Sequence, residues 1–279
     1  MPLAKVASML KDAQTGGYAV AAFNVFNHES ISWIIKAAEA EGMPIIAMLF
    51  PACNTHVPES TFTAIANSLA AKAKVPVGVH YDHCNKFDQI MAAIAAGFQS
   101  VMIDGSALPY EDNVAVTAAI ARAAHPMGVS VEAELGLVGR ANNPDDFITS
   151  SHYTKPSTAV DFIKRTGVDS LAVAIGSAHG NYVTTPKLDL KRLEEIRSVV
   201  STPLVLHGGS GIPEEQIRES VRRGITKLNI GTEFNQESYR QIMALTGGEK
   251  APGSLLGALM RVEPVMVEYV RAKIRMLQP

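Results

Sequence analysis

A (β/α)8 (TIM) barrel forming one domain over residues 1–279 is the fold class that the sequence predicts. Three observations carry it. Short β-branched or apolar runs alternate with amphipathic, Ala-rich segments along the whole chain, eight times over. A chain of this length suits a single closed parallel barrel better than an open sheet. Polar and glycine-rich residues gather just after the apolar runs, at the end of a barrel where chemistry is placed.

The strand-like runs are Ala19–Val25, Pro44–Leu49, Val77–Tyr81, Ser100–Ile103, Val129–Leu135, Ser170–Ile175, Pro203–Leu206 and Lys227–Ile230. Between them lie helical patterns at His28–Glu41, Glu59–Ala73, Lys86–Ala95, Glu111–His125, Pro156–Thr166, Leu190–Val200 and Pro213–Arg222, with a last helix over about Leu259–Met276. Ser157 and Pro213 are helix-start residues, and Gly42, Gly97, Gly128, Gly167 and Gly224 stand near the exits. Gly136–Thr154 is polar, contains Asn142-Asn143-Pro144 and has no clear period, so it reads as a long mobile loop after strand five. Met43, Met48, Met91 and Met102 read as core, and Arg271, Lys273 and Arg275 as a solvated helix face.

Composition narrows the function. With 47% hydrophobic residues the chain can bury a large core. Its formal net charge is −2 and it has no Lys/Arg-rich arm, which argues against nucleic-acid binding and polybasic membrane contact. Cys53 and Cys84 are the only cysteines, read as bland small residues, so a reducing cytoplasm is the expected compartment. The first ten residues lack the pattern of a signal peptide, and no apolar run is long enough to span a bilayer.

The chemistry-bearing residues sit at the strand ends: Asn24, Asp82-His83, Asp104-Gly105-Ser106, Glu134, His179-Gly180, His207-Gly208-Gly209-Ser210 and Asn229. His83, His179 and His207 end three strands that converge at one rim, where three imidazoles can bind zinc and leave a position for substrate. A solvated loop role suits any one of them, but not all three beside Gly or Asp. His28, His56, His80, His125 and His152 do not share the position. The turns 176–180 and 207–211, with Asn229-Ile230-Gly231-Thr232, suit a phosphate site made of backbone N–H groups and the Ser210 and Thr232 hydroxyls. Asp82 either moves a proton on a substrate oxygen or orients an imidazole. Glu132 and Glu134 alternate in VEAELG and face one side of strand five, which is costly unless a cation offsets them. Asp104 reads as a partner to a ligand histidine. Together these parts suit cleavage of a ketose through a metal-stabilised enediolate.

AFNVFN, HYDH, VEAELG, TGVDSLAVAIGSAHGNY, PLVLHGGSGIP and KLNIGTE closely resemble the class II fructose- and tagatose-bisphosphate aldolases, in order from about Ala22 to Lys273. The resemblance implies a zinc-dependent aldolase that splits a ketose 1-phosphate into dihydroxyacetone phosphate and a three-carbon aldehyde. It implies that His83, His179 and His207 hold Zn2+, that Glu134 is an alternative ligand, and that Asp82 is the acid/base at the C4 hydroxyl. It places Gly180, Gly208, Ser210 and Thr232 around the phosphate, Gly231 beside them, Asn229 at the enediolate end and Asn24 near the far end. It also implies a monovalent cation (Na+ or K+) at the cradle and a homodimer or homotetramer.

The chain departs from that family at the other end of the substrate. The loop after VEAELG has no Glu, leaving Asp145 or Asp146 as stand-ins at C3. Ala47, Leu49, Cys84 and Thr184 replace residues common in the family. The basic segments that hold a 6-phosphate are replaced by Ala251-Pro252-Gly253-Ser254 and Met260-Arg261-Val262-Glu263, with Arg261 as a candidate anion contact. These changes point to a branch acting on 6-deoxy-6-sulfofructose 1-phosphate, whose sulfonate needs fewer cations. An ordinary 1,6-bisphosphate aldolase is the alternative. A non-catalytic accessory subunit and a zinc hydrolase on the same fold are readings of other classes.

Overall fold

A computed structural model describes residues 3–139, 141, 150–246 and 253–279. Eight parallel strands close into a barrel in chain order, β1 pairing with both β2 and β8. They are β1 Val20–Asn24, β2 Ile45–Leu49, β3 Val77–Cys84, β4 Ser100–Ile103, β5 Ser130–Leu135, β6 Ser170–Val173, β7 Leu204–Leu206 and β8 Ile225–Ile230. Helices α2 His28–Glu41, α3 Glu59–Ala70, α4 Phe87–Ala95, α5 Tyr110–Ala124, α6 Pro156–Thr166, α7 Leu190–Val199 and α8 Glu214–Arg222 follow the first seven strands.

Two helices are not in the sequence reading. α1, Val6–Gly16, precedes the first strand, and α9, Thr232–Thr246, follows the last. α10 spans Leu255–Met276, beginning before the expected Leu259 because the Ser254 side chain caps it, accepting from the Gly257 N–H at 3.1 Å. The sharpest local start is that of α2. There the Asn27 side chain accepts from the Ser30 N–H at 2.9 Å, and Ser30 Oγ accepts from the Asn27 N–H at 3.2 Å.

The core has two parts because successive strand residues face opposite sides. Outward-facing residues and the helices make the main core, in which Phe62 stacks on Phe98 at 5.6 Å and Tyr81 tilts against Phe98 at 5.1 Å. Inside the barrel, Val20, Ala22, Ile46 and Met48 form a separate cluster with Val6, Met9, Leu10 and Ala13. α1 is therefore a plug in the amino-terminal end of the barrel. Above this apolar floor the interior turns polar, with His80, Ser100, Glu132, Ser170 and Lys227 all buried.

α10 lies along α2, burying Met266, Val270 and Ile274. Lys36 Nζ meets Glu263 at 2.7 Å, and Glu41 accepts from both Arg271 and Arg275. The charged face expected on α10 is thus an ion-paired one, and Lys273 joins it by bonding Glu233 at 2.6 Å. Among the described residues no helix is long and apolar enough to cross a membrane.

Of the loop after β5, residues 140 and 142–149 lie outside the described part. The described flanks are anchored. The Leu137 N–H reaches the His152 carbonyl at 3.1 Å, the Ala141 N–H reaches the His179 carbonyl at 2.8 Å, and the His179 N–H reaches the Gly139 carbonyl at 2.7 Å. The last two bonds tie this loop to a candidate ligand.

Candidate active site

The carboxyl ends of the strands surround a cavity of roughly 590 Å³, lined among others by Asn24, Asp82, His83, His179, Gly180, Gly208, Ser210, Asn229, Gly231 and Thr232. Two neighbours on β3, Asp82 and His83, both line it. A regular strand would send them to opposite faces. The register of β3 on β4 shifts between Tyr81 and Cys84, and His83 has a φ of 45°, the only positive φ of a non-glycine among the described residues. The bulge turns a second side chain into the mouth, and the strained backbone marks a functional position.

The rings of His83 and His207 are 4.5 Å apart, those of His83 and His179 4.7 Å, and those of His179 and His207 5.9 Å. One nitrogen of each imidazole lies within 4.8 Å of the others. Each ring has a different setting. His83 Nδ1 meets Asp104 Oδ2 at 2.9 Å, and Asp104 in turn accepts from the Ser106 N–H and hydroxyl. Burial would raise the Asp104 pKa, but the His83 bond, its charge and the Ser106 donors hold it well below the usual carboxylate range. His207 is fully buried between Glu132, 3.0 Å from Nε2, and Glu134, 2.9 Å from Nδ1. Burial would lower its pKa; the two carboxylates overcome this and push it up to about 9.

His179 is the third case. Burial, then the nearby His83 and His207, push its pKa down to about 3, so its ring is neutral. Its Nε2 is buried with no hydrogen-bond partner. A neutral imidazole with an unused buried nitrogen, beside two imidazoles that are each backed by a carboxylate, is a donor set that fits a divalent ion such as zinc. A second grouping, His83 with Asp104 and Glu134, also has its donor atoms within 4.8 Å of one another. Glu134 is therefore close enough to serve as an alternative ligand.

Asp82 is 2% exposed. Asn24 Nδ2 donates to one of its oxygens at 2.9 Å and Asn229 Nδ2 to the other at 3.1 Å. Burial would raise its pKa, but the neighbouring His83 and Lys227 hold it below the usual carboxylate value. Neither oxygen is spent on an imidazole, and Asp104 is the residue that backs His83. Asn229 Oδ1 is buried without a partner.

The turns after β6 and β7 meet through Tyr182, whose hydroxyl accepts from the Ala178 N–H at 2.7 Å and donates to the Gly208 carbonyl at 3.0 Å. Gly208 has a φ of 66°, and a Cβ on it would lie 2.6 Å from the Ala178 carbonyl carbon. A Cβ on Gly231 would lie 2.5 Å from Asn24 Oδ1. Ser210 Oγ accepts from the Glu233 N–H at 3.1 Å, so this cradle ends at the amino terminus of α9, a site suited to anions. Gly208→Ala is expected to destabilise the fold by about 1–2 kcal/mol for the left-handed backbone alone, with the clash added to it. It should also weaken phosphate binding. Denaturant melts and the KM for substrate check both, and an unchanged KM would remove the turn from the binding site.

Beyond the imidazoles the walls are Phe50, Cys53, Ser106, Ala107, Leu137 and Val138, and no Lys or Arg is among the described lining residues. Arg261 stands exposed on α10 and does not line the cavity. Asp145, Asp146, Ala251 and Pro252 lie outside the described residues. The sequence reading did not find Lys227 or the splitting of Glu132 from Glu134. The i, i+2 spacing of Lys227 and Asn229 in KLNIG already placed both on the inner face of β8.

The family model "Fructose-bisphosphate aldolase class-II" matches residues 4–279. The solved structure of the YdjI aldolase from Escherichia coli K12 is 35% identical, with a TM-score of 0.88, over 99% of this chain and 97% of that one. The fructose-bisphosphate aldolase of Campylobacter jejuni shares the fold at 22% identity and a TM-score of 0.81, over 98% of this chain and 93% of that one.

Proposed function

Since the chain belongs to the class II fructose-bisphosphate aldolase family, we propose that this aldolase is zinc-dependent and acts on a ketose 1-phosphate whose 6-substituent is a sulfonate. The substrate that meets this description is 6-deoxy-6-sulfofructose 1-phosphate. The observation that carries the reading is the contrast within one cavity. Three imidazoles and a glycine-rich cradle meet at one end, and no described cation lines the other.

The residues divide the work. Gly180, Gly208, Ser210, Gly231 and Thr232 hold the 1-phosphate. Asn229 Oδ1, unpartnered in the protein, accepts a substrate hydroxyl. Asp82, held by two amides, removes the proton from the C4 hydroxyl. The C3–C4 bond then breaks, the aldehyde leaves, and the bonding pair stays on the dihydroxyacetone phosphate half. Zinc, held by His83, His179 and His207 with Glu134 in reserve, would supply Lewis-acid polarisation of the ketose oxygens. A phosphate carries about 1.5 to 2 negative charges at neutral pH, whereas a sulfonate carries a single charge. Walls such as Phe50, Ala107, Leu137 and Val138 suit the weaker anion.

The same reading includes a monovalent cation, Na+ or K+, beside the cradle. The buried, unpartnered Ser177 hydroxyl in the β6 turn supports it. It includes a homodimer or homotetramer, supported by the apolar side chains of Tyr239, Leu255, Leu256 and Met260 exposed on α9 and α10. Two free cysteines support a reducing compartment, the cytoplasm.

Steady-state kinetics test the substrate. The expected order has kcat/KM for the sulfonate at least about tenfold above that for fructose 1,6-bisphosphate and tagatose 1,6-bisphosphate, a difference of about 1.4 kcal/mol at the distal end. Efficient turnover of either bisphosphate with none of the sulfonate refutes it.

A further inference from the structure

The polar middle of the barrel holds a fully buried ion pair that does not reach the cavity. Glu132, 1% exposed, and Lys227, 0% exposed, join β5 to β8 across the interior. Lys227 Nζ lies 2.9 Å from each carboxylate oxygen. Glu132 Oε1 also meets His207 Nε2 at 3.0 Å, and Ser170 Oγ donates to Oε2 at 3.3 Å. Neither residue lines the cavity, so neither can touch substrate.

Stability alone does not account for this pair. Two charges taken out of water are costly, and well-packed apolar replacements of similar volume are often neutral or stabilising. What the pair does beyond balancing its own charge is to hold an acceptor at one nitrogen of His207. Lys227 and Ser170 fix the plane of the carboxylate, and the carboxylate then fixes the ring. The other nitrogen, Nδ1, lies 2.9 Å from Glu134, whose carboxylate falls in a donor grouping with His83 and Asp104. The rim shows the same arrangement in a second copy, where Asp104 takes Nδ1 of His83.

We propose that Glu132 and Lys227 are a positioning pair that holds His207 with its proton on Nε2 and presents Nδ1 to the divalent ion. The proposal rests on the zinc-aldolase reading. Glu132 accepts the Nε2 proton, which makes the imidazole a stronger donor at Nδ1. Lys227 keeps the carboxylate from standing as an uncompensated charge in the barrel. The two glutamates of β5 therefore have different tasks. Glu134 faces the ion's side of His207, and Glu132 backs the ring from below.

The test is zinc affinity, measured by competition with a chromophoric chelator on the whole protein. Removing both charges together, in Glu132→Leu with Lys227→Met, avoids leaving one of them buried alone. This variant should fold and bind zinc about 10–100-fold more weakly. Glu132→Gln with Lys227→Met restores an acceptor oxygen at Nε2 and should recover much of the loss. Affinity equal to wild type in the Leu/Met variant overturns the proposal. The zinc-loaded wild type supplies a second measurement that does not depend on any variant folding. Nitrogen-15 imidazole NMR should show the His207 proton on Nε2, and a proton on Nδ1 overturns the proposal. Wild-type protein that takes up no stoichiometric zinc instead refutes the zinc-aldolase reading, and the positioning role with it.

Discussion

Asp82→Asn lowers kcat by about 10³-fold, within the range that a positioned general acid or base contributes, while zinc content stays near that of the wild type. The substitution keeps the shape of the side chain and removes its ability to take a proton. It places one amide among two others, since Asn24 and Asn229 both donate to the carboxylate. Asn229 can absorb the conflict by turning its amide over, which breaks no other hydrogen bond of its Oδ1 within the protein but withdraws that acceptor from the substrate hydroxyl. The fold should therefore survive, with a thermal midpoint close to that of the wild type. The sequence left two roles open for Asp82, and this experiment separates them. If Asp82 served only to orient an imidazole, zinc affinity would fall and saturating zinc would bring kcat back. The geometry favours proton transfer, because His83 already has Asp104 behind it.

Exhaustive removal of divalent metal is the second large effect. Stripped protein should lose at least about 10³-fold in turnover, since a Lewis acid at a carbonyl is worth several kcal/mol and each 1.36 kcal/mol is tenfold in rate. Stoichiometric zinc should restore turnover, and zinc at about 1,000 times its dissociation constant should stabilise the folded state by about 4 kcal/mol, visible as a higher melting temperature. His179→Ala should lose turnover in the same way yet cost the metal-free protein little, because no partner depends on its Nε2. His207→Ala is different. It leaves Glu134 without its imidazole and takes one donor from Glu132, so the metal-free fold should melt lower. Elemental analysis with parallel rate measurements checks the claim. Full turnover by protein shown to be free of metal would remove the ion from the reaction.

The two glutamates of VEAELG show how far the sequence could be read. Their alternation with Val131, Ala133 and Leu135 put both on one face of β5, and the cost of burying two like charges pointed to a cation nearby. Two cationic partners are in fact close, and they differ. Glu132 meets Lys227, and both glutamates meet His207. Nothing local could tell them apart, because Lys227 is 95 residues from Glu132 along the chain. Asp82 and His83 are a second case. Their place at the end of strand three was readable, but that both would face the cavity depends on the shift between β3 and β4. α1 is a third. Its apolar side chains have no partner near them in the sequence, and the inner faces of β1 and β2 supply one.

By itself the sequence determined the alternation of strand and helix, the single barrel and the imidazoles, carboxylates and glycines at the strand ends. Each of these follows from local backbone periodicity and from the conformations that individual residues allow. Only the tertiary structure decided which carboxylate backs which imidazole, which histidine keeps an unused nitrogen, and what stops the amino-terminal end of the barrel. Those outcomes depend on strands distant in the chain being brought within about 3 Å in a closed ring, where hydrogen-bond geometry and not spacing along the chain selects the partner.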